Sequence, residues 1–327
     1  MQGAGRPVAR PRHRPGGPGL SRPETAGGPA VAVVVPTYQY GHFVGRAIDS
    51  ALAQSHPPAE VVVVDDGSTD DTADVVARYG PPVRLISQDN RGVAAARNAG
   101  IAASASPLLA FLDADDTWEP GKLAAQVARW TAQPDLGLVH CGVYEVDVHG
   151  TATGTRLEGA EGRVAEDLLL LTGPGILGGG SGPLVPRSVI DRVGGFDERL
   201  STSADWELWL RIAAEHPVGF VAEPLVRYTI HGGNMHRNLA AMEHDVLLGF
   251  EKAFAAHPAT LGPRRQEALA NLYMTLAGSH FAAGEVVPAC RDVARSVRHR
   301  PAKLAYLLEL PLRRLHRRRP APGPVSR

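Results

Sequence analysis

The stretch Phe111-Leu112-Asp113-Ala114-Asp115-Asp116 decides how the fold is read. An apolar run from Leu108 to Leu112 stops at three carboxylates spread over four positions. Short apolar runs bounded by polar residues read as buried strands, so the carboxylates stand where a buried strand leaves the core. In extended chain, residues two apart point the same way, and Asp113 and Asp115 then face one point in space. Carboxylates held that close repel each other unless a cation or protons intervene. A hard divalent cation carrying a phosphate ligand suits them. The competing reading is a solvated loop with a helix cap, because Asp116 or Thr117 precedes a helix that Pro120 opens.

Upstream, the pattern of strand followed by polar loop recurs. Ala30 to Val35 is a continuous apolar strand ending in Pro36-Thr37-Tyr38. Val61 to Val64 is a second, ending in Asp65-Asp66-Gly67-Ser68-Thr69, and Val83 to Ile86 a third. Between the first two, Phe43, Val44, Ala47, Ile48, Ala51 and Leu52 share one face of a helix. A short helix is expected from about Asp71 to Tyr79 and another across Gly92 to Ala103. Downstream, Leu123, Val127 and Trp130 mark a helix, and Leu138 to Tyr144 a fifth strand. Strands alternating with helices predict βαβ units and an α/β fold with a mostly parallel sheet. Ligands bind such sheets outside the carboxyl ends of the strands, where Pro36 to Tyr38, Asp65-Asp66 and Asp113 to Asp115 all fall.

This is not an ordinary dinucleotide site. The first strand-to-helix turn lacks Gly-x-Gly-x-x-Gly, and no Gly-x-x-x-x-Gly-Lys-Ser/Thr loop is present. A nucleotide's phosphates would need another counter-charge, which carboxylates holding a metal supply, with Arg97 close by. Asp65-Asp66-Gly67-Ser68 does not fit a calcium loop, which needs acids at alternate positions.

The 327 residues suffice for two modest domains or one domain with an appendage. Formal net charge is zero, so no global pull toward nucleic acid is expected. The charge is unevenly spread. Arg6, Arg10, Arg12, Arg14 and Arg22 precede the first acid, Glu24, and Arg313, Arg314, Arg317, Arg318 and Arg319 follow the last, Glu309. Two distant cysteines, Cys141 and Cys290, give neither a disulfide framework nor metal-ligand spacing. A reduced cytoplasmic setting is the default expectation. No apolar run approaches the roughly 18 residues of a membrane span, and the N-terminus lacks the apolar segment of a signal peptide.

Residues 1–29, rich in Arg, Pro and Gly, are expected to be disordered. From Gly150 to Gly182 the sequence is polar and then Gly-rich, ending Gly178-Gly179-Gly180-Ser181-Gly182. Pro183 spoils a Gly-x-Ser-x-Gly nucleophile elbow. A flexible connection is the favoured reading and an acceptor-side loop the alternative. Asp205 opens a helix on which Trp206 and Leu210 recur, and as an Asp at a helix start it also reads as a plain N-cap. Val218 to Val221 and Leu225 to Ile230 read as extended, ahead of His231, a lone histidine more often structural than ligating. Helices are expected near Met242 to Phe254, Arg264 to Ala283 and Val287 to Val297. Leu304 to Arg319, apolar then Arg-rich, suits either an anionic membrane surface, at the inner face of the membrane, or solvent.

The ordered set Pro36-Thr37-Tyr38, Asp65-Asp66-Gly67-Ser68, Asn90-Arg91-Gly92 through Ala96-Arg97-Asn98-x-Gly100, Asp113-Ala114-Asp115-Asp116, Gly194-Gly195-Phe196-Asp197-Glu198 and Asp205-Trp206-Glu207-Leu208-Trp209 resembles family 2 glycosyltransferases of the GT-A fold. The likeness spans roughly residues 30 to 235, and the order of the motifs carries it rather than any one of them. It implies a GT-A domain over 30–238 and a helical extension over 239–327 with a basic tail. It also implies an inverting transferase using a nucleotide-diphosphate sugar, a UDP-sugar favoured, with Mg2+ or Mn2+. The acceptor would be a hydroxyl of a glycan, a lipid-linked sugar or a small molecule. By the resemblance, Pro36, Thr37 and Tyr38 flank the nucleoside, Asp66 accepts from the base and Arg97 sits by the nucleotide. Asp113 contacts ribose or sugar, Asp115 and His231 reach the metal, and Asp205 is the catalytic base. Where the family often has Glu-Asp, this chain has Ala204-Asp205. That departure motivates a second reading, a non-catalytic nucleotide-sugar-binding or scaffolding protein. A nucleotidyltransferase ranks last, because Pro36 to Gly41 lacks the Gly-rich basic loop a triphosphate needs.

Overall fold

The alternation of residues along the buried strands builds the two main cores. The computed structural model describes residues 24–25, 28–232 and 238–304. The chain opens with β1 (Glu24–Thr25) and β2 (Gly28–Pro29), an antiparallel pair. Regular backbone therefore begins before residue 30, within the stretch whose composition predicts disorder, while residues 1–23 lie outside the described residues. Then follow β3 (Val31–Thr37), α1 (Gly41–Leu52), β4 (Glu60–Asp65), α2 (Thr72–Val76), β5 (Val83–Ser87), α3 (Val93–Ala103) and β6 (Leu108–Phe111). Next come β7 (Thr117–Trp118), α4 (Lys122–Ala132), β8 (Leu138–Val146), β9 (Ala152–Arg156), α5 (Ala165–Leu170), β10 (Leu184–Pro186) and α6 (Arg187–Val193). The rest comprises α7 (Ala204–Glu215), β11 (Val218–Thr229), α8 (Leu239–Ala256), α9 (Arg265–Ala282) and α10 (Val286–His299).

The main sheet has the order β5-β4-β3-β6-β10-β8-β11-β7, with β9 beside β8. β5, β4, β3 and β6 run parallel, and so do β8 and β11. β10 is antiparallel to both β6 and β8, so it joins the two parallel blocks. Strand order reverses between β3 and β6, and the crevice at such a switch point is where an open α/β sheet holds its ligand.

All seven residues of β3 are buried. Successive strand residues face opposite sides of a sheet. Accordingly Val31, Val33 and Val35 join Val44, Ile48 and Leu123 in one core, while Ala32 and Val34 join Phe111, Leu208 and Trp209 in the other. The continuous apolar sequence of these strands is the consequence of being covered on both faces. The second core extends without a break into α8 and α9, through Val246, Phe250, Phe254, Leu272 and Leu276.

The expected extended pieces at 218–221 and 225–230 are one strand, β11, whose register against β8 slips on either side of Pro224. α4 begins at Lys122 with Gly121 before it, so neither Asp116 nor Thr117 caps that helix. Among the described residues no helix is long and apolar enough to cross a membrane. Beyond Leu304, the basic tail lies outside the described residues.

Candidate active site

The carboxyl ends of β3, β4 and β6 meet the start of α7 around a cleft of about 480 Å³. Pro36, Thr37, Tyr38, Asp66, Arg97, Asp113, Asp115 and Asp205, all expected from the sequence, line it. His231 is not on that lining but stands directly behind Asp115. Its Nε2 lies 2.9 Å from Asp115 Oδ2, and its ring stacks on Phe43.

Asp66 is buried and largely spoken for. Oδ1 accepts from Gln88 Nε2 at 2.7 Å and the Arg91 N–H at 2.9 Å, and Oδ2 from the Gly92 N–H at 2.7 Å. A carboxylate has about four lone-pair sites, so one remains for a ligand in the cleft. The Thr37 hydroxyl and Arg97 Nε are buried with no partner of their own, and buried polar atoms in that state call for an explanation. Both belong to side chains that line the cleft.

Arg97 is the electrostatic hub. It is 3 % exposed, donates from Nη2 to Asp113 Oδ1 at 2.6 Å, and lies over the Phe196 ring. Burial pushes the Asp205 carboxyl above its ordinary range, and Arg97 opposes that shift by favouring the carboxylate. Asp115 is likewise pushed up, by burial and then by the charge of Asp113, with His231 opposing. Tyr40 and Tyr228, which the sequence reading passed over, complete the wall, and burial beside these acids pushes the Tyr40 phenol up to about 12.

Asp116 turns away from the cleft. The Ser181 hydroxyl donates to its Oδ2 at 2.6 Å and the Thr229 N–H to its Oδ1 at 2.9 Å, while the Asp113 N–H donates to Ser181 Oγ at 3.0 Å. Ser181 thereby pins the Gly-rich segment against the acidic loop. The expectation of a flexible connection at Gly178 to Gly182 is corrected: the Ser181 and Gly182 N–H groups close a turn on the Gly178 carbonyl, and the turn forms a wall of the cleft. A Cβ at Gly180 would collide with the Arg97 guanidinium, and one at Gly179, where φ is +51°, would crowd Asp205. Only glycine fits both places. The N-cap reading of Asp205 is corrected too. Ser203 is the cap, and Asp205 is the second residue of α7, its Oδ1 accepting the Trp206 N–H.

Among the described residues, no group of three or more His, Cys, Asp or Glu is arranged to hold a metal. What is present is one carboxylate, Asp115, paired with one imidazole, His231. A divalent cation that travels with a diphosphate draws its other ligands from phosphate oxygens and water and needs only one or two protein donors. The pair fits that kind of metal and does not fit a closed structural cage.

A second cavity, of about 260 Å³, abuts the first. Leu168, Leu171, Ile176, Trp206 and Trp209 give it an apolar lining, with Asp167 and Thr172 adding polar groups. Gly179 and Asp205 belong to both cavities.

The model of glycosyl transferase family 2 matches residues 32–190. An uncharacterized glycosyltransferase of Nostoc sp. is 32% identical over 227 residues, 64% of this chain and 68% of its own length. The chain belongs to glycosyl transferase family 2. A further likeness is to succinoglycan biosynthesis protein ExoU of Rhizobium meliloti, 33% identical over 220 residues, 61% of this chain and 63% of that protein. Two solved structures share the GT-A fold. The mannosyltransferase PcManGT from Pyrobaculum calidifontis, in complex with GDP-Man and Mn2+, superposes with a TM-score of 0.57 at 21% identity over 88% of this chain and 81% of that one. S. aureus TarS 1-349 in complex with UDP-GlcNAc gives 0.56 at 14% identity over 81% and 90%. The protein is a glycosyltransferase.

Proposed function

We propose that this family 2 glycosyltransferase moves a sugar from a nucleotide-diphosphate donor to an acceptor hydroxyl by one in-line displacement that inverts the anomeric carbon. Asp205 carries the reading: a single carboxylate forms part of the wall of both the cleft and the neighbouring cavity. A hydroxyl is a poor nucleophile until a base takes its proton during attack, and that base must touch the acceptor beside the donor's reacting carbon. One displacement needs no protein nucleophile.

The donor is assigned to the larger cleft, with Pro36, Thr37 and Tyr38 along the nucleoside and the spare lone pair of Asp66 taking a base N–H. Arg97 holds Asp113 toward the ribose or sugar and supplies fixed positive charge near the diphosphate. Donors in the two structural neighbours, UDP-GlcNAc and GDP-Man, support the class, with a UDP-sugar favoured here. Asp115 and His231 would hold Mg2+ or Mn2+, and Mn2+ accompanies the donor in PcManGT. The bound cation would act as a Lewis acid on the leaving diphosphate. The acceptor, a hydroxyl-bearing glycan, lipid-linked sugar or small molecule, is assigned to the second cavity, where its proton passes to an Asp205 oxygen.

Loss of the base is expected to lower transfer by about 10²–10⁴-fold. Asp205→Asn should therefore abolish transfer in radiolabelled-donor assays while nucleotide binding by calorimetry persists. Asp115→Ala should remove the dependence of nucleotide binding on added Mn2+. Wild-type turnover in both variants would overturn the assignment.

A further inference from the structure

We infer that Asp245, on α8, is a positioning residue that fixes the catalytic loop and with it Asp205. The inference rests on Asp205 acting as the base. Asp245 lies outside the segment matched by the family model.

The geometry is convergent. Asp245 is 1 % exposed, and its Oδ2 accepts the N–H groups of Ser201 at 2.9 Å, Thr202 at 2.7 Å and Ser203 at 3.1 Å. The hydroxyls of Ser201 and Thr202 add bonds of 3.3 Å and 3.2 Å to the same oxygen. Its Oδ1 lies 3.2 Å from His244 Nδ1. Successive N–H groups converging on one anion form a nest, here filled by the protein's own carboxylate.

The loop so held does two things. Ser201 and Thr202 line the donor cleft. Ser203 is the N-cap of α7, yet its own side chain makes no capping bond. The N–H groups at a helix start normally take a cap oxygen from the cap residue itself. Here an acid from another helix organises the approach to that start, and Asp205 follows two residues later. The residue between, Ala204, is buried in the hydrophobic core.

α8 makes three contacts of this kind along one face. Asp245 takes the 201–203 loop. Gly249 lies so close to the Trp206 ring that a Cβ would stand 2.7 Å from it. Lys252 Nζ lies 2.6 Å from Glu207 Oε1 and 2.7 Å from Asp197 Oδ2. Positions 245, 249 and 252 have the i, i+4, i+7 spacing of one helical stripe. Residues on either side of Asp205 are thus splinted by the C-terminal helices.

The test compares the full-length chain with Asp245→Ala and Asp245→Asn. Amide hydrogen exchange is read at 201–206 and, as a control, across α1. Uncoupled hydrolysis of UDP-GlcNAc and GDP-Man gives kcat, and UDP and GDP calorimetry gives affinity. Ala leaves the three N–H groups without an acceptor, so exchange at 201–206 should rise while α1 is unchanged. Misplacing a reacting group by about 1 Å costs roughly 10²-fold, so kcat should fall on that order, with UDP and GDP affinity falling less because the loop supplies only Ser201 and Thr202 to the cleft wall. Asn keeps an oxygen without its charge and should fall between Ala and wild type; it also carries the test if the Ala variant does not fold. Unchanged exchange, or raised exchange with wild-type kcat well below the melting temperature, would overturn the positioning role. Wild-type turnover by the Asp205→Asn variant would instead count against the base assignment, and the exchange result would still report whether Asp245 holds the loop.

Discussion

Asp205 and Arg97 set opposite demands on one proton. Burial holds the Asp205 carboxyl above the ordinary range, and Arg97 pulls it back down. In its proposed role as general base Asp205 works only when ionised, so transfer should fail as pH drops through this raised value. Replacing Arg97 with Met removes the influence that favours the carboxylate. The acid limb of kcat, measured at saturating donor between about pH 5 and about pH 8, should then move to higher pH, and an unmoved limb would show that the guanidinium does not govern this base. Gly180 gives a steric counterpart. Gly180→Ala drives a methyl group into Arg97, and a displacement near 1 Å is worth about 10²-fold in rate. Turnover should collapse while the melting temperature, read by differential scanning fluorimetry, changes little. At this scale Asp205, which opens a helix pattern, read as a plain N-cap that only the family resemblance marked, whereas Asp113 and Asp115 were legible because they follow a recognisable apolar run. Ser181 and Asp245 were not, because their roles are hydrogen bonds to residues 65 and 42–44 positions away.

Among elements, the parallel strands were readable and the antiparallel ones were not. β3, β4 and β6 are runs buried on both faces, so their composition announces them. β7 and β10 hold two and three residues, too few to show any period, and their strand character comes from neighbours already in place. The Gly178 to Gly182 turn looked like a linker because glycine clusters share one appearance in sequence whether they are loose or tightly enclosed. α4 contributes a prediction of its own. Lys122 is fully buried under Trp118, its Nζ 3.9 Å from the ring centre, and bonded to Gln126, and burial pushes its amino group down to about 8. Its pKa is lower folded than unfolded. Between about pH 8 and about pH 10.5 the unfolded chain therefore binds the extra proton, and stability rises with pH across that window. Below it, the full cost of the buried charge is present. Lys122→Met should raise the melting temperature at neutral pH, by at most about 3 kcal/mol of stability on the conversion of pKa shift to energy, and the gain should shrink toward pH ~10. Calorimetry at three pH values checks the trend, and a gain independent of pH would contradict it.

For the whole molecule, the C-terminal helices share a core with the sheet. Phe250, Phe254, Leu272 and Leu276 sit in the same cluster as Phe111 and Trp209. Ending the chain at residue 238 would strip that cluster of its cover. Large-to-small changes at single core sites already cost about 2–5 kcal/mol, comparable with much of a domain's total stability. The truncated chain should lack a cooperative thermal transition by circular dichroism, and a truncated chain that melts cooperatively near the full-length midpoint would show that 30–238 folds alone. The sequence displayed these helices clearly. Their union with the α/β core was hidden, because an apolar stripe states that a helix is covered and not by what.

The antiparallel β10 has a consequence for how such an enzyme diversifies. It is the seam between two parallel blocks. Most residues assigned to the donor, from Pro36 to Asp115, precede it in sequence, Ser201, Thr202 and Asp205 of the same cleft follow it, and the walls of the second cavity, from Asp167 to Trp209, lie on both sides of it. On the proposed assignment, the nucleoside and the acceptor hydroxyl are read by largely separate lengths of chain, Pro36 to Asp115 and Asp167 to Trp209, which meet at Gly179 and Asp205. Grafting residues 160–178 from a relative, which carry walls of the second cavity and none of the donor cleft, should alter the acceptor and leave the donor untouched. Exchange of that segment would let a lineage acquire a new linkage without relearning its nucleotide.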